Sequence, residues 1–129
     1  MLISDQFYPD VVQGGNGTPP TFSTNGKRYC LVHLATYHWN DGQGDPPAAT
    51  DSLSVRDANG TTLGSWRVAG TPGTGGTLSG WEADVPLSPP VVVDGTYTLT
   101  DSRPGTWSWS KASGGKGFIR VWGVPYATQ

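Results

Sequence analysis

The sequence has little charge, one methionine, one glutamate and a single cysteine, Cys30. One cysteine cannot form an internal disulfide, so the 129 residues must be stabilised by a packed core, for which one domain of this length suffices. Only 14% of residues are charged, the net charge is −2, and no basic run occurs. This balance argues against nucleic-acid partners and against attraction to anionic membranes. No apolar run approaches the ~20 residues that span a bilayer, so membrane insertion is not expected.

Glycine, proline and β-branched residues dominate what remains, with 19 Gly, 11 Pro and six tryptophans. The clearest hairpin joins residues 52–56 to residues 61–68 through Asp57-Ala-Asn-Gly60. Residues 80–85 alternate strictly between apolar and polar side chains, which is typical of a half-buried strand. Short strands between turn signals, with no helical periodicity, predict an antiparallel β-sandwich, jelly-roll-like, of about eight or nine strands. We expect one domain over residues 1–129, with residues 1–17 as an N-terminal arm or edge strand.

The longest strand candidate covers residues 28–40 and carries apolar side chains at both alternating sets of positions. Such a strand is either covered on both sides or exposes an aromatic face. One or two inward-facing apolar residues from each strand are enough to form a single hydrophobic core. The predicted core residues are Val32, Leu34, Leu53, Val55, Trp66, Trp81, Val85, Val92, Tyr97, Leu99, Ile119 and Val121.

The aromatic residues outnumber what this core needs. The surplus consists of Tyr37, Trp39, Trp107, Trp109 and Trp122, several of which flank Gly-rich or Pro-rich loops. Flat rings of this kind stack on the apolar faces of sugars or fill protein–protein interfaces. Alternatively, they close the ends of the core, with indole N–H groups bonded to loop carbonyls. The predicted ligand-binding residues are Tyr37, His38, Trp39, Asn40, Asp41, Arg103, Trp107 and Trp109.

The residues needed for hydrolytic catalysis are scarce. No Gly-x-Ser-x-Gly elbow is present, and Glu82 is the only glutamate. Glu82 and Asp84 are neighbours on one face of a strand, so they do not flank a cleft as paired glycosidase carboxylates do. We therefore predict that the protein is not an enzyme.

A Gly/Pro-rich loop contains the best candidates for metal ligands. Asp41, Asp45 and Asp51, together with backbone carbonyls, offer the oxygen ligands that Ca²⁺ prefers. Calcium is the one cofactor the sequence suggests, and otherwise none is expected. Two histidines are too few for a zinc site.

Two segments, Thr36-Tyr-His-Trp-Asn40 and Asp101-Ser-Arg-Pro-Gly-Thr-Trp-Ser108, resemble a recurring β-sandwich module of secreted bacterial proteins. The resemblance spans residues 30–123 loosely and implies no settled function, so no site residue follows from it. This chain has Arg103 where the module has an acidic residue and Trp109 where it has a polar one. If that acidic residue serves a metal, Arg103 argues against the metal here.

The leading hypothesis is a non-catalytic binding module, extracellular or at the cell surface, for carbohydrate or a cell-surface polymer. The alternative is a structural subunit of an extracellular filament, surface lattice or capsid-like assembly. Three features favour self-association: the low charge, the surplus aromatic residues, and an N-terminal segment that could add a strand to a sheet of a neighbouring subunit.

Overall fold

Two antiparallel sheets form the computed structural model, which describes residues 1–8, 12–40, 43–72 and 78–126. The ten strands within these described residues are β1 (Leu2–Asp5), β2 (Thr21–Ser23), β3 (Tyr29–Tyr37), β4 (Ser52–Arg56), β5 (Thr62–Arg67), β6 (Ala69–Pro72), β7 (Leu78–Asp84), β8 (Val92–Val93), β9 (Thr96–Asp101) and β10 (Ile119–Pro125). The prediction of an all-β sandwich is confirmed. Within the described residues, no helix has the length and hydropathy to cross a membrane.

Sheet 1 has the strand order β1-β10-β3-β7-β6, and β8 pairs with the beginning of β3. Sheet 2 has the order β2-β9-β4-β5 and contains the predicted hairpin as β4 and β5. The N-terminal strand β1 is an edge strand that pairs with β10 of its own chain. The longest strand, β3, lies in the middle of sheet 1, between β10 and β7.

A β-bulge in the middle of β3 changes which of its residues face the core. Along the pairing with β10, Trp122 lies opposite His33 and Gly123 lies opposite Leu31, so Val32 is the extra residue. Leu31 and Leu34 therefore both point into the core, although uninterrupted alternation would place them on opposite faces. The predicted core position Val32 is only half-buried for this reason.

The core lies between the two sheets and matches most of the predicted residues. Leu34, Leu53, Leu99, Ile119 and Val121 are fully buried, and each contributes about 1.5–3 kcal/mol by leaving water. Trp66 and Tyr97 are partly buried against this core. The larger buried side chains that the predicted core list missed are Phe22, Tyr29, Leu31, Val93, Trp107 and Phe118.

The segment after β9 contains no regular strand before β10. Pro104–Thr106 forms one 3-10 turn, and Trp109 makes only an isolated bridge to Gln13. Proline at the first position of this turn sets its backbone angle. Gly17 packs so closely on Gly117 that an added methyl group would collide with the backbone there.

Candidate functional site

A buried polar cluster joins the two sheets at one end of the core. Asp101 occupies an inward position at the end of β9, and its carboxylate accepts hydrogen bonds from the Thr36 hydroxyl at 2.8 Å and the Arg103 backbone N–H at 2.9 Å. His38 Nε2 lies 2.6 Å from the same carboxylate, and His38 Nδ1 lies 2.7 Å from the Thr106 hydroxyl. The side chains of His38 and Asp101 are both fully buried. The cluster therefore connects Thr36 in sheet 1 with Asp101 in sheet 2.

The predicted ligand residue His38 is thus an interior residue. Its ring stacks on Trp81 with a centroid distance of 3.7 Å and an interplanar angle of 14°, which removes it from any surface ligand. The hydrogen bonds link Thr106 to His38 and His38 to Asp101, in the way that a catalytic triad links a nucleophile, a base and an acid that orients the base. However, the Thr106 hydroxyl also hydrogen-bonds Asp45, and both ring nitrogens of His38 are occupied. This arrangement fastens loops and strands together.

Arg103 extends the cluster toward the surface. Its guanidinium donates to Asp45 Oδ1 at 2.7 Å, to Asp51 and to the Pro46 carbonyl, and it lies 4.9 Å from the Trp81 ring centroid. Burial would raise the pKa of Asp51, but hydrogen bonds, chiefly from Arg103, outweigh burial and lower that pKa. The hydrogen bond with Asp51 raises the pKa of Arg103 in turn. The predicted ligand residue Arg103 is therefore committed to two carboxylates of its own chain.

The same contacts affect the predicted calcium site. Asp45 and Asp51 face a guanidinium, and Asp41 lies outside the described residues. In the part of the chain that the structure describes, no three His, Cys, Asp or Glu side chains are grouped as metal ligands. Calcium binding that involves Asp41 stays a prediction.

The surplus tryptophans have different positions. Trp107 is wrongly predicted as a surface residue, because it is fully buried in the core and its indole N–H donates to the Phe118 carbonyl at 3.1 Å. Trp109 is half-buried, and its indole N–H donates to the Gly15 carbonyl. Both bonds follow the alternative in which tryptophans close the ends of the core.

Trp39 and Asn40 follow the end of β3 and are half-buried. The Trp39 backbone N–H donates to the Ser108 hydroxyl at 2.6 Å, and the Asn40 amide donates to the Gly44 carbonyl at 3.1 Å. Asn40 has a positive φ of 48°, which asparagine tolerates better than most residues. These hydrogen bonds hold the segment in place, and the side chains of Trp39 and Asn40 are only partly exposed.

The outward-facing side of sheet 1 brings together residues that the sequence did not connect. Strand pairing places Trp122, His33 and Asp84 in one row across β10, β3 and β7, and Arg120, Ala35 and Glu82 in the next. Tyr37 lies one row further, opposite Gly80. We name this surface the sheet-1 platform and define it by Tyr37, Ala35, His33, Arg120, Trp122, Glu82 and Asp84.

One end of the sheet-1 platform carries an aromatic group around Tyr37. Phe7 lies 5.8 Å from Tyr37 and 5.7 Å from Phe118 between ring centroids. The Arg120 guanidinium lies 4.1 Å from the Phe7 ring centroid and bonds Asp5 at 3.1 Å. Phe118 is buried, so Tyr37 and Phe7 form the accessible part of this group.

The other end of the platform carries Trp122 and a histidine held between two acids. His33 Nε2 lies 2.6 Å from Glu82 and His33 Nδ1 lies 2.9 Å from Asp84, while its ring contacts Trp122 edge-on at 5.0 Å between centroids. Burial works against a charged His33, but the hydrogen bonds and charges of Glu82 and Asp84 outweigh burial and raise its pKa. This end therefore combines an indole with hydrogen-bonding groups.

The sequence contained part of the signal for this surface. Trp122 counts among its surplus aromatics, and the alternation of residues 80–85 correctly places Glu82 and Asp84 outward. His33 and Tyr37 also share a parity in β3. What the sequence lacks is the order of the strands, which decides that these side chains are neighbours.

A scan against protein-family models, a search of curated proteins and a search of solved structures each found no match to the chain. By its structure, the chain is an all-β protein of two antiparallel sheets, with a buried polar cluster between the sheets and aromatic residues on the outer face of sheet 1.

Proposed function

We propose that the protein is a non-catalytic binding module, extracellular or at the cell surface, for a carbohydrate or a related surface polymer, and that it binds through the sheet-1 platform. The proposal rests on one observation: two aromatic positions lie on one outward sheet face, with polar side chains between them. Tyr37 and His33, which contacts Trp122, are four residues apart on β3, or about 13 Å at ~3.3 Å per residue.

The middle of the platform suits an extended, hydroxyl-rich ligand. Ala35 is the small residue between the two aromatic ends, with Arg120 on one side and Glu82 on the other. The side chain of Glu82 is 34% exposed and that of Arg120 is 40% exposed. Each therefore has room to bond a ligand hydroxyl in place of water, beside its partner in the chain, which is His33 for Glu82 and Asp5 for Arg120. A face built on strands is largely pre-formed, which limits the entropy lost on binding.

Affinity electrophoresis through gels containing cellulose derivatives, xylan, mannan or chitosan tests this proposal. We expect Trp122→Ala and Tyr37→Ala each to weaken retention by about tenfold or more, because an anchoring aromatic contributes roughly 2 kcal/mol. Trp109→Phe is the control, since Trp109 lies outside the platform. The proposal fails if none of these polymers retards the protein, or if both platform variants bind like the wild type while remaining folded.

A structural subunit is the second candidate, supported by exposed apolar residues along one edge of sheet 1. Leu2 in β1 is 45% exposed, Val124 in β10 is 40% exposed, and Tyr126 just beyond it is 41% exposed. An edge strand next to such residues can pair with another chain. Light scattering across a concentration series tests this candidate, because Leu2→Lys should abolish any concentration-dependent increase in mass. A wild type that stays monomeric at high concentration refutes it.

A further inference from the structure

His33 makes two contacts that only its protonated ring can satisfy. Its partners, Glu82 at 2.6 Å and Asp84 at 2.9 Å, are carboxylates. An ionised carboxylate only accepts hydrogen bonds, so each ring nitrogen that faces one must carry a hydrogen. A neutral imidazole carries a single N–H and can keep only one of these bonds. In the other contact, a nitrogen lone pair would then face a carboxylate oxygen.

The charged groups around His33 favour its protonated form. Strand β7 presents Glu82 and Asp84, both negative. Strand β10 presents the uncharged Trp122 directly opposite His33, and its only nearby charge, Arg120, lies one row away and is paired with Asp5. Along β3 itself, the neighbouring outward residue is Ala35. The raised pKa of His33 agrees with this surplus of negative charge.

We propose that protonation of His33 sets the shape of the sheet-1 platform at its Trp122 end. The imidazolium holds Glu82 and Asp84 on β7 and supports the Trp122 indole on β10. When His33 loses its proton, one carboxylate is released and the indole loses its fixed neighbour. Insofar as it concerns ligand binding, this inference rests on the proposed function, because the same indole would form one of the two aromatic contacts.

The direction of the pH effect follows from the protonated form being the bonded one. A histidine whose pKa is higher in the folded state than in the unfolded chain contributes stability below its unfolded value of about 6.5, and this stability is lost as pH rises through the folded value. The platform should thus be ordered in mildly acidic solution and loosen in alkaline solution.

Two-dimensional NMR without any ligand tests the inference. We expect the Trp122 indole N–H signal, assigned by its loss in Trp122→Phe, to shift with the same midpoint as the His33 ring signals between about pH 5 and pH 9. In His33→Gln that shift should disappear, and in Glu82→Gln its midpoint should fall. The Trp109 indole N–H, bonded to Gly15, is the internal control and should not follow His33. A Trp122 signal that ignores the His33 midpoint, or that still shifts in His33→Gln, overturns the inference.

Binding supplies a separate readout. Retention in the affinity gels should be several-fold stronger at acidic than at alkaline pH in the wild type, and pH-independent in His33→Gln. Retention of the wild type that does not change with pH overturns the link between His33 and binding. If no polymer retards the protein at either pH, the proposed function fails, and the ligand-free NMR titration alone decides whether His33 controls the platform.

Discussion

The buried carboxylate of Asp101 gives the sharpest prediction about stability. Replacing it with alanine removes the acceptor of three hydrogen bonds, from Thr36, Arg103 N–H and His38, all within 2.9 Å. His38 and Thr36 are fully buried, so their donors cannot turn to water once the carboxylate is gone. Each buried donor left without an acceptor costs about 1–3 kcal/mol, so the two together should lower the free energy of unfolding by about 4 kcal/mol, a large part of the ~5–15 kcal/mol that stabilises a typical domain.

Urea unfolding followed by tryptophan fluorescence measures this loss. With a slope of roughly 2 kcal/mol per molar urea, Asp101→Ala should lower the midpoint by about 2 M. Asp94→Ala is the matched control, because Asp94 pairs with Arg28 at the surface, with 47% and 39% of their side chains exposed. Such a pair contributes only about 0.2–1 kcal/mol. If the free energy of unfolding of Asp101→Ala falls by no more than that of Asp94→Ala, the polar cluster does not fasten the sheets.

Two further predictions concern the same end of the sandwich. Gly117→Ala should lower the free energy of unfolding by about 1–3 kcal/mol, because the added methyl group would meet the Trp107 indole. Gly105→Ala should change it little, since nothing lies within 4 Å of the Gly105 Cβ position. Equal midpoints of the two variants in thermal melts would contradict this contrast. The lowered pKa of Asp51 contributes stability above its unfolded value of about 3.9, and this stability is lost as pH falls through the folded value. In Arg103→Gln the free energy of unfolding should therefore fall less steeply as the pH is lowered from about 5 to about 2. The same pH dependence in the variant and the wild type would show that Arg103 does not stabilise the Asp51 carboxylate.

Much of the fold could be predicted from the sequence because local signals agree with tertiary structure in most strands. The alternation of residues 80–85 and the Asp57–Gly60 turn both indicate the strands that the structure contains. Val32 shows where such reasoning fails. A bulge is set by pairing with a neighbouring strand, and alternation within β3 alone does not reveal it.

The candidate site was harder to predict because burial depends on contacts between distant segments. His38 and Trp107 have the residue types of a sugar-binding surface, yet Asp101 and the Phe118 carbonyl provide interior partners for their polar groups. Trp122 differs from His38 and Trp107 in that it lies on the outward-facing side of β10. No property of the isolated segments distinguishes these aromatic residues, since strand order decides which of them has a partner inside.

The extra residue in β3 specifies the interior and the exterior of the protein together. Because Val32 is added, Leu31 and Leu34 both fill the core, and His33 stands opposite Trp122. Shortening β3 by one residue there would force half of the strand to exchange its inner and outer faces. A substitution therefore changes one side chain of the platform and leaves the rest in place. A change in the length of β3 would instead alter, in a single step, which residues face the core and which face outward.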